Sequence, residues 1–279
     1  MSAVVVACCQ IALRVAEVEA NRACAVAAIE DAAARGARVV VLPELVNSGY
    51  VFADRDEAAA LAEPLDGPTV TAWAALARAH GLVVVGGVCE RADGGTLRNT
   101  AVLVDRDGLR AAYRKAHLWD REVLAFAPGA EPPPVVATAA GRIGLVVCYD
   151  LEFPEWVRLP ALAGAELLCA PVNWPRAARP PEGERPGEVV RVQAAASSNR
   201  MWIAACDRVR AERGVSWLGA SVIVDPDGFP AAGPASEDDE ELLLATCDLA
   251  LARDKAIGER NDVLADRRPE LYGSVAAHG

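Results

Sequence analysis

The stretch VVLPELVNSGY, residues 40–50, joins a strand-like run directly to an acidic residue. Residues 39–42 are aliphatic and mostly β-branched, which is typical of a short strand covered on both faces, as in a parallel sheet. Pro43 cannot donate a hydrogen bond to a neighbouring strand, and Glu44 follows immediately. A single glutamate at such a place is more often a solvated loop residue than a functional one. A function for Glu44 therefore depends on whether other strand ends carry reactive side chains that could meet it.

The composition describes a globular protein rather than a disordered chain. Of the 279 residues, 53% are hydrophobic and 24% are charged, so a large core can form. The 39 acidic residues outnumber the 28 basic ones and give a formal charge of −11, and no basic run offsets it. This charge disfavours binding to nucleic acid or to an anionic membrane.

The eight cysteines show no regular spacing that would indicate a disulfide framework. The N-terminal region has no basic residue before its apolar run, which argues against a signal peptide, and no apolar stretch resembles a membrane span. We therefore expect a reduced, cytoplasmic protein. Cys8 and Cys9 are adjacent and His80, His117 and His278 are scattered, so the sequence predicts no metal site.

Strand-like and helix-like segments alternate along the chain, without an internal repeat or a flexible linker. Helices are predicted over residues 18–34, 69–79 and 188–199, and a further helix begins at Pro154. The alternation with apolar, β-branched runs predicts an α/β fold built from layers of sheet and helix. We expect a single domain over residues 1–279, with a core that reaches about residue 250 and a C-terminal tail (251–279) in oligomer contacts.

A second candidate strand end carries a cysteine. Cys148 closes the apolar run GRIGLVVC, and a turn then leads to Pro154, a residue favoured at the first position of a helix. A strand, a sharp turn and a helix can present a nucleophile beside backbone N–H groups, as a nucleophile elbow does. We expect these N–H groups and the helix dipole to favour the thiolate. The alternative is a buried structural cysteine, the usual state of a free thiol in a core.

A third candidate, Lys115, follows a strand in AAYRKAHLWD, and Glu122 lies seven residues later. A lysine at the mouth of a site would stabilise negative charge that develops on a substrate oxygen, whereas a surface lysine would not. A cysteine nucleophile also needs a base. His117 is the weaker candidate for this base, and we expect it to form structural hydrogen bonds. The chain has no G-x-S-x-G, P-loop or dinucleotide motif, and Glu44 is the better candidate base.

Together, these segments resemble the three signature segments of the nitrilase superfamily of carbon–nitrogen hydrolases, in order and in spacing. The segments are LPELVNSGY with Glu44, YRKAHLWD with Lys115 and GLVVCYDLEFPE with Cys148. The resemblance continues through FAPG, APVNWP and GASVIVDPDG to about residue 250. It implies a four-layer α-β-β-α sandwich that associates through a helical face into a homodimer or a larger homo-oligomer. It also implies a Glu-Lys-Cys triad, often joined by a second glutamate, for which Glu122 stands at the matching distance before FAPG.

The resemblance further implies hydrolysis of a small amide to a carboxylic acid and ammonia through a thioester, without a metal or an organic cofactor. In such a reaction Glu44 would take the proton of Cys148, and Lys115 and the backbone N–H of Tyr149 would stabilise the oxyanion. Glu122 would orient Lys115. One alternative is an N-carbamoyl amine or amino-acid hydrolase with the same chemistry. Another, of a different class, is a catalytically silent binding module or a partner-dependent subunit that supplies ammonia.

The residues around Cys148 bear on the choice of substrate. True nitrilases of the superfamily commonly have a tryptophan directly after the nucleophile, whereas Tyr149 stands here, which disfavours a nitrilase. Members that act on carboxylate-bearing substrates often have an arginine within a few residues of the cysteine. This chain has Asp150 and Glu152 instead. We therefore expect a neutral or cationic amide, unless Glu152 pairs with a nearby arginine and never meets the substrate.

Three further residues are expected near the substrate. Tyr50 and Trp174 are candidate apolar walls of the pocket, with core packing as the alternative for each. Asn173 is a candidate hydrogen-bonding residue near the thiol. A Pro-rich loop, residues 174–188, contains arginines that could still bind an anionic substrate, namely Arg176, Arg179 and Arg185.

Overall fold

The structure is a computed structural model that describes residues 3–176 and 180–273. Its longer strands form from the apolar, β-branched runs of the sequence, which suit a pleated and buried surface. In chain order the strands are β1 (Val4–Gln10), β2 (Val39–Val41), β3 (Val83–Arg91), β4 (Leu97–Asp105), β5 (Gly108–Arg114), β6 (Val135–Ala137), β7 (Arg142–Leu145), β8 (Leu167–Pro171), β9 (Trp202–Cys206), β10 (Ala211–Glu212), β11 (Val215–Ser216), β12 (Val222–Val224), β13 (Pro230–Ala232), β14 (Glu241–Cys247), β15 (Ala256–Gly258) and β16 (Asn261–Asp262).

The helices agree with the sequence prediction to within one residue at each predicted end. They are α1 (Val18–Ala34), α2 (Arg55–Leu61), α3 (Pro68–His80), α4 (Glu122–Ala125), α5 (Pro154–Leu162) and α6 (Gly187–Asn199). Pro68 and Pro154 stand at the first helical positions, where the missing N–H costs no hydrogen bond. Of the helices in the described part of the chain, none has the length and apolar character needed to cross a membrane.

Two six-stranded sheets form the centre of the molecule. The first sheet has the order β14-β1-β2-β3-β4-β5 and the second has the order β13-β12-β9-β8-β7-β6. Strands β1, β2 and β3 run parallel to one another, as do β7, β8 and β9, whereas the outer strands pair antiparallel. Because the parallel strands at the centre of each sheet are covered on both faces, their sequences are continuous apolar runs.

Four layers result from the way in which the sheets are covered. One face of the first sheet packs against α1 and α3, with Ile29 and Trp73 buried between them. The opposite face packs against the second sheet, and this shared core includes Val41 and Leu145. Helices α5 and α6 cover the outer face of the second sheet. The fold is thus an α-β-β-α sandwich, which confirms the fold that the sequence predicted.

The sheet topology brings the candidate residues to one edge of the sandwich. Strand β5 runs antiparallel to β4, which runs antiparallel to β3, so β5 ends at the same edge as the parallel strands β2 and β3. Glu44 and Lys115 therefore follow strands, β2 and β5, that end at the same edge of the first sheet. In the second sheet, Cys148 and Asn173 follow the parallel strands β7 and β8. The backbone N–H of Glu44 donates to the carbonyl oxygen of Val172 at 3.3 Å, which joins the two edges.

Candidate active site

Glu44 occupies a closely packed turn at the end of β2. Its side chain is fully buried, and the next residue, Leu45, has a left-handed backbone with φ of +51°. Gly87 on β3 lies so close that a Cβ atom there would stand 2.6 Å from the Cα of Glu44. Only glycine permits this approach. The local backbone therefore fixes the carboxylate in the interior, and the solvated-loop alternative does not apply.

Lys115 bridges two buried carboxylates. Its Nζ donates to Oε1 of Glu44 at 2.8 Å and to Oε1 of Glu122 at 2.7 Å. All three side chains are almost completely removed from solvent. Burial by itself lowers the pKa of Lys115, but the two carboxylates outweigh this effect and raise the pKa above its ordinary value. The lysine is therefore a permanent positive charge at this site.

Two further side chains hold the carboxylates in place. Tyr50 donates its hydroxyl to Oε1 of Glu122 at 2.6 Å, while the backbone N–H of Trp119 donates to Oε2 at 3.0 Å. Asn99 donates from Nδ2 to Oε1 of Glu44 at 2.7 Å. The sequence analysis missed Asn99. It stands between Arg98 and Thr100 in the strand segment LRNTAVLVD, where no local pattern marks it as a site residue.

The buried cluster of one lysine and two glutamates carries a net charge of −1 when all three groups are ionised. Burial and the nearby charge of Glu122 raise the pKa of Glu44, Lys115 opposes both effects, and together they leave the pKa at about 7. Oε2 of Glu44 is buried and has no hydrogen-bond partner among the residues that the structure describes. A carboxylate with a pKa near neutrality and an unoccupied oxygen is well suited to take up and return a proton.

Cys148 lies on a strained turn between β7 and α5. Its φ is +44°, a left-handed conformation that is uncommon for a residue with a side chain and that clusters at functional sites. A 3₁₀ turn spans Cys148–Glu152, and α5 follows from Pro154, as the elbow geometry predicted. The residue is 8% exposed, and its Sγ lies 3.7 Å from the backbone oxygen of Asn173.

The ionisation state of the Cys148 thiol differs from the one that the sequence predicted. We expected the turn and the helix dipole to favour the thiolate, but burial and then the charge of Glu44 raise the pKa of Cys148 well above its ordinary value. The charge of Lys115 lowers this pKa without compensating. The thiol is therefore protonated at rest, because removal from water and a neighbouring carboxylate both penalise a second negative charge. A nearby base must remove its proton before it can attack.

Asp150 holds the turn that carries Cys148. Its Oδ2 accepts from the N–H of Val147 at 3.0 Å and from the hydroxyl of Tyr113 at 2.8 Å. Its Oδ1 lies 2.7 Å from Nδ1 of His117, whose ring stacks on Phe153 with centroids 3.9 Å apart. Asp150 thus forms hydrogen bonds with His117, Tyr113 and the backbone of the turn. The contact agrees with the structural hydrogen bonds expected for His117.

Asn173 connects Glu44 with Cys148, whereas Trp174 is part of the core. Nδ2 of Asn173 donates to the backbone oxygen of Glu44 at 3.0 Å, and its own backbone oxygen contacts the thiol. Trp174 is buried in the hydrophobic core, and its backbone N–H donates to Oδ1 of Asp207 at 3.2 Å. Trp174 therefore takes the alternative of core packing. The chain turns after β8 so that the neighbouring Pro175 faces the cavity instead.

The position of Glu152 decides between the two alternatives that the sequence left open for it. Its Oε2 lies 2.7 Å from Nε of Arg191 on α6, and the residue is exposed rather than part of the buried cluster. The arginine comes from a helix about 40 residues away in sequence, and it compensates the charge that we expected to attract a cationic substrate. Glu152 therefore gives no reason to expect a cationic amide as substrate.

The arginines of the Pro-rich loop have partners of their own. Arg176 donates to the backbone oxygen of Glu237 and lies 3.1 Å from Oδ1 of Asp238. Nη1 of Arg185 donates to Oε1 of Gln193 at 2.8 Å. Arg179 lies outside the described residues. The two described arginines are therefore engaged in contacts that need no substrate.

A cavity of about 490 Å³ adjoins the buried cluster and includes Tyr50 and Glu122 in its wall. Its volume falls within the range of ligand pockets. Most of its other wall residues are aromatic or aliphatic, among them Phe52, Phe126 and Trp217. Tyr149 is half-buried next to this region, with its ring 4.8 Å from that of Trp119 in an edge-to-face contact. Tyr50 thus forms a wall of the cavity, and the cavity meets the buried cluster at Tyr50 and Glu122.

Comparisons with known proteins agree with this geometry. A family model described as carbon–nitrogen hydrolase matches residues 5–256. A nitrilase of Pyrococcus abyssi is 37% identical over 247 residues, which cover 88% of this chain and 89% of that protein. A chloroplastic omega-amidase of Arabidopsis thaliana is 30% identical over 263 residues, which cover 89% of this chain and 68% of the relative.

Among solved structures, a mutant of the amidase from Nesterenkonia sp. AN1 superimposes with a TM-score of 0.79. It shares 27% sequence identity, and the match covers 98% of this chain and 99% of that chain. In that structure acrylamide has added to the active-site cysteine.

The chain therefore belongs to the carbon–nitrogen hydrolase family, in the amidase-like branch of the nitrilase superfamily. It is a hydrolase that acts on amides, and its active site contains a cysteine nucleophile.

Proposed function

We propose that this protein hydrolyses a small, neutral carboxamide to a carboxylic acid and ammonia, with Cys148 as the nucleophile. Glu44 acts as general base and acid, and Lys115 stabilises the oxyanion. The observation that supports this best is the state of Glu44, which is buried, has a pKa of about 7 and bonds to Lys115 through one oxygen only. A group with a pKa near the working pH can both accept and return a proton.

Acylation of Cys148 begins with transfer of the thiol proton to Oε2 of Glu44. As the proton leaves, the sulfur forms a bond to the carbonyl carbon, and the π electrons move onto the carbonyl oxygen. Nζ of Lys115 and the backbone N–H of Tyr149 stabilise the resulting oxyanion. When the oxyanion collapses, the C–N bond breaks and Glu44 returns its proton to the nitrogen. Ammonia then departs, and the acyl group remains on Cys148 as a thioester.

Hydrolysis of the thioester repeats these steps with water in place of the thiol. Glu44 takes a proton from water, the oxygen attacks the thioester carbon, and Lys115 again stabilises the oxyanion. Collapse breaks the C–S bond, and Glu44 returns the proton to the sulfur of Cys148. Glu122 keeps Lys115 in position through its 2.7 Å hydrogen bond and is not itself protonated or deprotonated in the cycle.

The preference for a neutral substrate follows from the corrected position of Glu152. Because this carboxylate pairs with Arg191, it supplies no free negative charge for an amine. Hydrolysis of N-carbamoyl compounds would use the same groups in the same order, so a substrate panel has to separate the two reactions.

The direct test measures ammonia release by the purified protein from aliphatic amides, amine-bearing amides, N-carbamoyl compounds and nitriles. We expect release from neutral amides that disappears in Cys148→Ala and persists in Cys24→Ala, a control that removes a half-buried thiol from α1. Mass spectrometry of the quenched reaction should show the acyl group on the peptide that contains Cys148. Ammonia release that survives in Cys148→Ala, or turnover confined to N-carbamoyl compounds, would overturn the proposal.

A further inference from the structure

The cavity beside Glu122 has walls suited to an apolar group much larger than a methyl group. Four aromatic residues, Tyr50, Phe52, Phe126 and Trp217, form what we call the aromatic chamber. Tyr50 meets Trp217 edge-to-face with centroids 5.1 Å apart, and Phe52 meets Phe126 in the same way at 5.9 Å. Such rings bind aliphatic and aromatic groups by burying apolar surface.

The walls of the aromatic chamber are held in place without a ligand. Oε2 of Glu212 accepts from the N–H of Tyr50 at 2.8 Å and from the N–H of Val51 at 2.7 Å. The other carboxylate oxygen of Glu212 accepts from Arg208 at 2.9 Å, and this guanidinium lies over the ring of Trp217 at 5.1 Å from its centroid. A preformed pocket binds its ligand without the cost of ordering side chains.

Most of the charged residues of the cavity lie at its mouth, where their charges balance. The charged residues at the rim are all exposed, with two of each sign: Asp54, Asp120, Arg55 and Arg121. Among the residues that line the cavity, Glu122 is the buried charged one, and both of its carboxylate oxygens already accept hydrogen bonds, from Lys115, Tyr50 and the backbone N–H of Trp119. A charged group on a substrate would therefore lose water inside the chamber and find no free partner of opposite sign.

The chamber also adjoins the hydrogen-bonded cluster around Lys115. Tyr50 and Glu122 belong both to its wall and to the hydrogen-bonded cluster around Lys115. Trp119, another wall residue, contacts the ring of Tyr149, the residue that follows the nucleophile. A primary amide loses only ammonia, so the part of the substrate that extends away from the sulfur is the acyl group.

We propose that the aromatic chamber is an acyl-binding site. It selects amides whose acyl group is a medium-length alkyl chain or an aryl-substituted chain and carries no charge. This inference rests on the proposed amide hydrolysis and adds the class of acyl group. Leu124 contributes a wall residue at the outer end of the chamber, and its side chain is 64% exposed, so a substitution there does not disturb the core.

The first experiment compares kcat/KM for amides that differ in one respect. Acetamide, hexanamide and 3-phenylpropanamide vary in apolar surface, while 5-aminopentanamide and 4-carbamoylbutanoate replace the end of hexanamide with a cation or an anion. We expect hexanamide and 3-phenylpropanamide to exceed acetamide and both charged amides by about 10- to 100-fold. Equal values for acetamide and hexanamide, or a charged amide that matches hexanamide, would overturn the acyl-site inference.

The second experiment uses a matched pair of variants. Leu124→Lys places an ammonium group in the chamber wall, whereas Val123→Lys adds the same charge at the neighbouring position, which is 61% exposed and does not line the cavity. The ratio of kcat/KM for 4-carbamoylbutanoate to that for hexanamide should rise about three- to tenfold in Leu124→Lys and stay constant in Val123→Lys. An unchanged ratio in both variants would contradict the placement of the acyl group. Failure of the amidase proposal itself looks different, because no amide would then release ammonia in a Cys148-dependent manner.

Discussion

The two sheets supply the site with residues that are held in different ways. From the first sheet, Glu44, Lys115 and Asn99 come fully buried and bonded to one another at 2.7–2.8 Å. From the second sheet, Cys148 comes on a strained turn, and its sulfur lies 3.7 Å from a backbone oxygen. The charged groups are thus fixed by hydrogen bonds between their side chains, whereas the reactive sulfur is positioned by the backbone of its turn.

Among the site residues from the first sheet, Lys115 should be the most sensitive to substitution. Lys115→Met removes the charge shared by two buried carboxylates and should lower kcat at least about 10²–10³-fold and stability by about 3–5 kcal/mol. Without the lysine, the pKa of Glu44 should rise further in the folded state, because burial is then opposed by one positive charge fewer. The stability that the protonated Glu44 contributes is lost as the pH rises, so the variant should be least stable in alkaline solution. Urea unfolding at pH 5.5 and pH 8 measures this difference.

The chain's other lysine provides the control. Lys255 donates to the backbone oxygens of Asn199 and Arg200 at 3.0 and 2.8 Å, at the end of α6. Lys255→Met should lower stability by about 1–2 kcal/mol and leave amide hydrolysis unchanged. If the two methionine variants had the same effect on kcat, the special role of Lys115 would be refuted.

Glu122→Gln should have a smaller effect and act through the ionisation of Glu44. The charge of Glu122 raises the pKa of Glu44, so its removal should lower that pKa and move the acidic limb of the kcat/KM profile to lower pH. We expect kcat to fall about 10²-fold because Lys115 loses a charged partner, while the protein remains folded. Steady-state kinetics between pH 5 and 9 measure both effects.

Glu152→Gln is the matched control for this change. Since Glu152 pairs with Arg191 away from the buried cluster, its neutralisation should leave both the pH profile and the preference among charged and neutral amides as they are. An acidic limb that moved equally in both variants would argue for a general change in net charge instead of a contact with Glu44.

The smallest expected effects come from two tyrosines, one for each half of the site. Tyr50→Phe removes the hydroxyl that donates to Glu122 and should lower kcat/KM about fivefold to tenfold with little change in stability. Tyr113→Phe removes the hydroxyl that donates to Asp150 and should lower stability by about 1–3 kcal/mol, because the turn around Cys148 loses a buried hydrogen bond. Parallel kinetics and thermal unfolding separate the two results; identical profiles would contradict the division of roles.

Much of the fold followed from local features of the sequence. Helix ends were marked by Pro154 and Gly36, and continuous apolar runs indicated strands buried on both faces. The strand ends at Glu44, Lys115 and Cys148 could be identified because each reactive residue follows an apolar run directly. That these residues form one site was predicted from the order and spacing of the family's segments, because no local pattern shows which strands end at the same edge of a sheet.

The errors concern properties that depend on distant parts of the chain. Glu152 is neutralised by Arg191 of α6, and the sequence does not show that this helix lies against the turn after β7. The thiol pKa depends on burial and on Glu44 from the other sheet, which together outweigh the local turn. Asn99 was missed for a similar reason, because only the pairing of β4 with β5 places it beside Lys115, whose N–H donates to the Asn99 carbonyl at 2.8 Å.

The most direct test of the account is the pH dependence of kcat/KM for a neutral amide, measured in the wild-type protein and in Glu44→Gln. The account predicts that the wild-type rate falls as the pH drops below about 7, because Glu44 must be unprotonated to accept the thiol proton. Glu44→Gln should be slower by about 10²-fold or more and should lack this acidic limb. A wild-type rate that stays constant from pH 5.5 to 8, or an acidic limb that persists in Glu44→Gln, would show that Glu44 is not the base.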